Sequence, residues 1–465
     1  MEQATSRSAG SGNGSNGRTV VIPPDVPRSP YPWSPAIKAG GWVFAEGRSA
    51  TDYKTAMSAD IDFDPANPYL GKRLELESQY AFENLRRTIA AAGCDLRKDL
   101  ARVYVWLQSP HPTYDEFLGG SSTTDIHVHD YVRAFYAAID DPRPASAALG
   151  VRELIAPGNR ISLDLIAIPG HEAQGFDLPP DLPQPVAKYS PAIRFGDWVF
   201  TAGDLATDFR GDFMANTRMG DPSAVAPEAR VSPHMWYGSS IESQTDYLLA
   251  KLAKIAEAAG SSLDQCVKAD VYMGHPQDLV GIDRVWREWF PENPPARTTV
   301  PYCGLAGQGC RIEISLTLLH GESKLRKETV ETSAAPEPRR HEPQAVKAGN
   351  FLFFSTQLPV DSTGVVPKEL LHHPELPYLR QPPKLQTNYM LGNIAAICEA
   401  AGTTLGNLCR CQMFFEDFAD LPASVEEWSS HFETDPPVAT PVRLGGPLLA
   451  PGAHVLYDTI GYVPG

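Results

Sequence analysis

The sequence predicts an α+β protein made of three tandem copies of one β-β-α-β-α-β-β unit, and three observations carry that reading. The segments Ser34–Phe44, Ser190–Phe200 and Gln344–Phe353 align as apolar hairpins, turning at Gly40-Gly41, Gly196-Asp197 and Gly349-Asn350, pairs suited to positive φ. The tripeptide Ala-Ala-Gly recurs at Ala91–Gly93, Ala258–Gly260 and Ala400–Gly402, each time closing a helix-like run with glycine where a left-handed cap belongs. A chain of 465 residues also exceeds one domain of about 100–200 residues, and three units fit it.

Within each copy the hairpin is followed by a helix. Leu248, Leu252, Ile255 and Ala259, like Met390, Ile394, Ile397 and Ala401, recur at helical spacing; Tyr80 to Ala92 is a weaker match. Strands follow at Ala101–Leu107, Val267–Met273 and Cys409–Phe415, then second helices ending in Phe135-Tyr136, Trp286 to Phe290 and Trp428 to Phe432. A proline-led hairpin is expected to close every unit. In the middle copy Thr298, Thr299 and Val300 favour one strand, Gly304, Gly307 and Gly309 supply the turn, and Arg311–Leu318 alternates as the second.

The expected boundaries are a disordered tail 1–19, unit 1 at 20–168, a linker 169–186, unit 2 at 187–320, a linker 321–340 and unit 3 at 341–465. Long segments at Thr51–Leu74, Thr207–Ser240 and Val360–Lys384 are either lids over clefts or fillers between units.

Composition narrows the function classes. A hydrophobic content of 42% with 21% charged residues suits a chain with real cores, and no apolar run approaches the roughly 18 residues of a membrane span. The Gly/Ser/Asn-rich stretch Met1–Arg18 lacks the apolar core of a secretory signal, so the expected compartment is the cytoplasm. A net charge of −16 without a basic stripe argues against a nucleic-acid partner. The seven scattered cysteines read as reduced core thiols, Cys409 and Cys411 included. His127, His129, His372 and His373 find no third ligand at convincing spacing and read as loop residues. Neither a metal nor a cofactor is implied, for no phosphate loop, dinucleotide fingerprint or Ser-His-Asp arrangement occurs.

Chemistry concentrates in Asn293–His320. Arg297 opens one strand and Glu313 the next, and in a shared cleft a guanidinium fork would hold a carboxylate while the glutamate holds a water. The motifs Tyr189–Ile193, Gly196–Phe200, Ala258–Leu263, Pro294–Val300 and Arg311–Ile314, in this order, resemble the RidA (YjgF/UK114) family of imine and enamine deaminases. The resemblance implies the chorismate-mutase-like fold and a trimer whose three sheets form a central barrel with helices outside. Here that assembly would be an intramolecular pseudo-trimer, with the chain a monomer or a homodimer.

The resemblance also implies a ligand cleft between neighbouring units. Unit 2 supplies the family's residues as Arg297, Tyr189, Gly203 and Glu313, with Thr299 where the family often has cysteine. Unit 1 has Ser146, Trp33, Gly47 and Ser162 at these positions, and unit 3 has Ala439, Glu342, Thr356 and Leu456. If the cleft draws on two units, Arg297 faces either Trp33, Gly47 and Ser162 or Glu342 and Thr356. The implied activity is cofactor-free hydrolysis of a carboxylate-bearing imine or enamine, of the 2-aminomuconate type, releasing ammonia. Arg297 would anchor the carboxylate, Glu313 activate water, and Tyr189, Gly203 and Thr299 fix the ligand. The alternatives are a non-catalytic carboxylate-binding or assembly protein, or chorismatase-like hydrolysis on the same scaffold.

Overall fold

The computed structural model describes residues 17–61, 66, 73–109, 129–185, 189–209, 224–232, 234–235, 237–307, 309–371, 375, 381–432 and 434–465. Parts of the three long segments, and His127, His372 and His373, lie outside the described residues. Six α-helices are described, two per unit: α1 (Arg73–Ala91), α2 (His129–Ala138), α3 (Ser240–Ala258), α4 (Leu279–Trp289), α5 (Pro382–Ala400) and α6 (Leu421–His431). Helix α3 shows why these segments coil. The Ser239 side chain caps the Glu242 amide, Leu248, Leu252 and Ile255 are buried, and Gly260 follows at φ 72°.

Each unit has its own mixed sheet. In unit 2 the order is Gln174–Gly175, Ala192–Phe195, Trp198–Thr201, Ile312–Leu319, Cys266–Met273 and Ala296–Val300, and units 1 and 3 repeat it. The first strand of each sheet was not expected. Arg18–Val21 straddles the boundary between the predicted tail and unit 1, and Gln174–Gly175 and Lys327–Val330 come from the linkers; their polar faces hide strand pairing behind loop-like composition.

The closing hairpin is corrected in all three units. Ala296–Val300 pairs in parallel with Cys266–Met273, and Ile312–Leu319 pairs antiparallel on the other side of that strand. Ala145–Val151 and Val438–Arg443 are placed likewise. A strand reached through a helix returns parallel to the strand before it, so the last strand must add to the opposite edge.

Helices cover one face of each sheet, and the other faces meet in a single apolar cluster drawn from all three units. Trp42, Trp198 and Phe351 occupy matching strand positions and converge there, with Trp42 4.9 Å from Trp198 and 4.3 Å from Phe351. Among the described residues the sheets remain three separate ladders, so the expected closed barrel is not formed by hydrogen bonding. Single links join them: the bridge Gly150 to Gly304, and Glu153–Leu154 of unit 1 added to the edge of the unit 3 sheet. No described helix is long and apolar enough to cross a membrane. All seven cysteines are buried and unbridged.

Beneath the aromatic cluster the units exchange buried ion pairs in a cycle. Arg102 of unit 1 meets Asp270 of unit 2 at 3.2 Å, Lys268 of unit 2 meets Asp458 of unit 3 at 2.6 Å, and Arg410 of unit 3 meets Asp164 of unit 1 at 3.5 Å. Burial drives the Asp458 carboxyl up, but Lys268 and Arg410 outweigh it and leave the group below its ordinary range. Removing one partner strands a charge away from water. Asp458→Ala should therefore lower unfolding stability by about 3–5 kcal/mol in denaturant titration, whereas breaking the exposed Arg86–Glu83 pair should cost under about 1 kcal/mol.

Candidate functional site

The strand order sets Arg297 and Glu313 on opposite faces of one sheet. Arg297 lies in register with Ala269 and Leu316, which pack beneath the helices, and its guanidinium sits 4.9 Å from the Trp286 ring of α4. Glu313 lies in register with Tyr272, opposite Val300, in the central cluster.

Arg297 is fully buried and already paired. Its Nε donates to Glu342 at 2.8 Å and its Nη2 to Asp283 at 2.7 Å, while Nη1 has no hydrogen-bond partner. Arg340 holds the second Glu342 oxygen at 2.9 Å. Burial drives both carboxyls up, yet the adjoining guanidinium groups outweigh it and hold Glu342 and Asp283 below the usual range. The backbone completes the seam to unit 3: the Thr356 amide donates to the Arg297 carbonyl at 3.0 Å, and the Thr299 amide donates to the Thr356 hydroxyl at 2.9 Å. Of the two partner sets open from the sequence, Arg297 therefore meets Glu342 and Thr356. A cavity of about 220 Å³ lies alongside, lined by Glu342, Thr356, Gln357, Asn393 and Leu279 among others.

Glu313 belongs to the seam between units 1 and 2. Its side chain is 3% exposed. Gly203 lies beneath it, and a Cβ there would lie 2.1 Å from Glu313 Oε1 and 3.1 Å from the Ala147 Cβ of unit 1, so that the Glu313 side chain would have to move. The Gly203 amide donates to the Ser146 carbonyl at 2.9 Å, so the residue at unit 1's arginine position contributes backbone where a guanidinium was lost. Burial, and then the charge of Asp204, push the Glu313 carboxyl well above the ordinary range. Burial, Asp204 and Glu313 likewise raise the half-buried Tyr189 hydroxyl, and burial with Glu313 raises the Cys303 thiol.

The third seam joins unit 3 to unit 1. Thr440 accepts the Gly47 amide at 3.0 Å, and Trp33 fills the space by donating to Glu46 at 2.7 Å.

Parts of this chain match known proteins. The family model described as Endoribonuclease L-PSP matches residues 227–319 and 332–455. A RutC family protein of Pyrococcus horikoshii is 34% identical over 119 residues, which are 25% of this chain and 85% of that protein. The chain belongs to the RidA family. The 3-aminoacrylate deaminase RutC of Acinetobacter baylyi is 29% identical over 138 residues, 30% of this chain and 91% of its own length. The structure of RidA from an Antarctic Psychrobacter is 29% identical, covering 29% of this chain and 99% of that one, with a TM-score of 0.24.

Within this RidA chain, Tyr189, Gly203 and Glu313 come together, and Arg297 with Thr299 sits at the next seam. Among the described residues no group of three or more His, Cys, Asp or Glu is arranged to hold a metal ion. Two charged residues beside Glu313 were passed over in the sequence: Asp204, and Lys251 of α3, which ion-pair at 2.8 Å. Their signal was a lysine three residues after Leu248, on the buried face of the helix.

Two outcomes follow from the split seams. Arg297→Ala should destabilise the fold by about 3–5 kcal/mol at pH 7 by leaving buried carboxylates short of a partner. Because Glu342 and Asp283 titrate below their unfolded values, their stabilisation is present above about pH 4 and lost as pH falls, so the deficit should shrink in acid denaturant titrations. Gly203→Ala should displace the Glu313 carboxyl and lower turnover about 10²-fold while leaving the unfolding midpoint nearly unchanged, read by ammonia release and thermal melts.

Proposed function

We propose that the chain is an intramolecular pseudo-trimer of RidA units that hydrolyses an imine or enamine, releasing ammonia, in the seam between units 1 and 2. The observation that supports this best is Glu313: a buried carboxyl lying over Gly203, beside the Tyr189 hydroxyl. A carboxyl kept protonated in such a site donates a hydrogen bond and a proton. Glu313 gives its proton to the imine nitrogen as water bonds to the carbon, and the proton released by that water returns to Glu313. The carbinolamine then collapses: Glu313 protonates the amine, the C–N electrons leave with ammonia, the oxygen closes to a carbonyl, and its proton restores the acid.

The substrate class we propose is a carboxylate-bearing imine or enamine, such as a ring-cleavage product of the 2-aminomuconate type. Its anchor is Arg143 of unit 1 in place of Arg297. The Arg143 guanidinium lies 4.6 Å over the Tyr136 ring and ion-pairs with Asp141 through Nη1, and its Nε is buried without a hydrogen-bond partner among the described residues. The neighbouring Pro142 and the Ser190 next to Tyr189 both flank Gly175.

A second reading is supported by Arg297 itself, whose pairing with Glu342 serves assembly without catalysis. Ammonia release from imines generated in situ by an amino-acid oxidase separates the two. Glu313→Gln should keep binding near normal and lower turnover by about 10²–10⁴-fold. A wild-type chain that fails to accelerate release would leave the assembly role.

A further inference from the structure

At the strand position that follows Gly203 and its counterparts, the three units differ in charge. Unit 1 has Arg48, paired to Glu46 at 2.6 Å, and unit 2 has Asp204, paired to Lys251 at 2.8 Å. Unit 3 has Gln357, which bridges to Tyr457 of the last strand as Asp204 pairs with Ile314, and Asn393 stands on α5 where Lys251 stands on α3. Where the sister units place an ion pair, unit 3 places two primary amides. Both line the cavity of about 220 Å³ at the seam with unit 2.

The rest of that lining excludes an ionic guest. Leu279 of unit 2 with Leu358, Val360, Ile397 and Leu449 of unit 3 supply apolar wall. Glu342 is taken by Arg297 and Arg340, and Asp361 accepts from the Thr363 amide at 2.8 Å and the Thr363 hydroxyl at 2.5 Å. Glu337 and Arg339 are exposed and of opposite sign. Arg297 itself does not line the cavity, so its charge is met by Glu342 and not by a guest. A carboxylate entering here would leave water without gaining an unpaired cation. Gln357, by contrast, is held ready. Its main chain exchanges two hydrogen bonds of 3.0 Å with Tyr457, and its Nε2 donates to the Ser355 carbonyl at 3.0 Å. A primary amide has two N–H donors and a carbonyl with two lone pairs, so one such bond leaves capacity for a ligand.

We propose that the seam between units 2 and 3 is a second small-molecule site, which takes an uncharged single-ring compound bearing a carboxamide or an equivalent donor–acceptor group. The polar group bonds Gln357 and Asn393, and the ring rests on the apolar wall. A dry cavity of about 150 Å³ accepts benzene, so this one has room for a ring and one such substituent. Leu456 stands where unit 2 has Glu313, so the guest is bound without being hydrolysed.

Benzamide, benzoate and benzamidine share one shape and differ in charge, and calorimetric titration of each into the full chain at pH 7 tests the site. Benzamide should saturate one site per chain and bind about tenfold or more tightly than either ion. Asn393→Leu removes one amide from a half-buried helix position, so the melt and ammonia release should match wild type while benzamide affinity falls about tenfold. Glu313→Gln should leave benzamide affinity unchanged, which separates this site from the seam between units 1 and 2. A soaked wild-type crystal should show benzamide between Gln357 and Asn393, and it reads the site even where the variant folds poorly. The proposal is overturned by benzoate or benzamidine binding as tightly as benzamide, or by the absence of saturable benzamide binding. It is equally overturned by benzamide affinity that survives Asn393→Leu or is lost in Glu313→Gln.

Discussion

Three buried ion pairs close a cycle through the centre of this chain, and the rest of the structure depends on them. Arg102 to Asp270, Lys268 to Asp458 and Arg410 to Asp164 each run from one unit to the next, with every partner at most 3% exposed. Each cation rises from the corresponding strand of its unit, Leu100–Gln108, Cys266–Met273 or Leu408–Phe415, so the sheets must meet in a fixed register and rotational order. Hydrophobic contact among Trp42, Trp198 and Phe351 draws the faces together without direction. Charges removed from water tolerate only the arrangement in which all are paired, and that gives the non-directional core its geometry. The cycle supports the pseudo-trimer proposed above.

Fixed rotation also decides what each seam contains. The strand that carries Arg297, Ser146 or Ala439 lies at the edge of its unit's sheet and meets the following unit, while the residue at the Glu313 position stays two strands further in. Each seam therefore joins the arginine position of one unit to the glutamate position of the next: Ser146 to Glu313, Arg297 to Leu456 and Ala439 to Ser162. No seam brings an arginine at the Arg297 position together with a glutamate at the Glu313 position. Glu342 of unit 3 occupies the Arg297 guanidinium in the place a ligand carboxylate was expected to take. The buried acid that remains is at Glu313, and the proposal of chemistry at the first seam rests on that asymmetry.

Most of the fold was legible because it is written three times. Repeated turn glycines, the Ala-Ala-Gly caps and the helical spacing of Leu248, Leu252 and Ile255 each express a local backbone or packing demand. Strand order was less legible. A Gly-rich loop between two alternating runs reads as a hairpin, and nothing local to Arg297–Leu318 announces that the Cys266–Met273 strand lies between them. That single misplacement joined Arg297 and Glu313 in one imagined cleft. The edge strands Arg18–Val21 and Lys327–Val330 were hidden for a related reason, since half-exposed pairing leaves no apolar pattern. Lys251 was visible as a lysine three residues after Leu248, but its partner Asp204 lies nearly fifty residues earlier and is brought close only by the tertiary fold.

The account stands or falls on which seam admits a carboxylate ligand. A crystal structure of the full chain soaked with a 2-keto acid, the carbonyl product class of the proposed reaction, tests this most directly. The account predicts ligand density beside Glu313 and Tyr189 with its carboxylate toward Arg143, and an undisturbed Arg297–Glu342 contact at 2.8 Å. A keto acid bound to Arg297, with Glu342 swung aside, would contradict it.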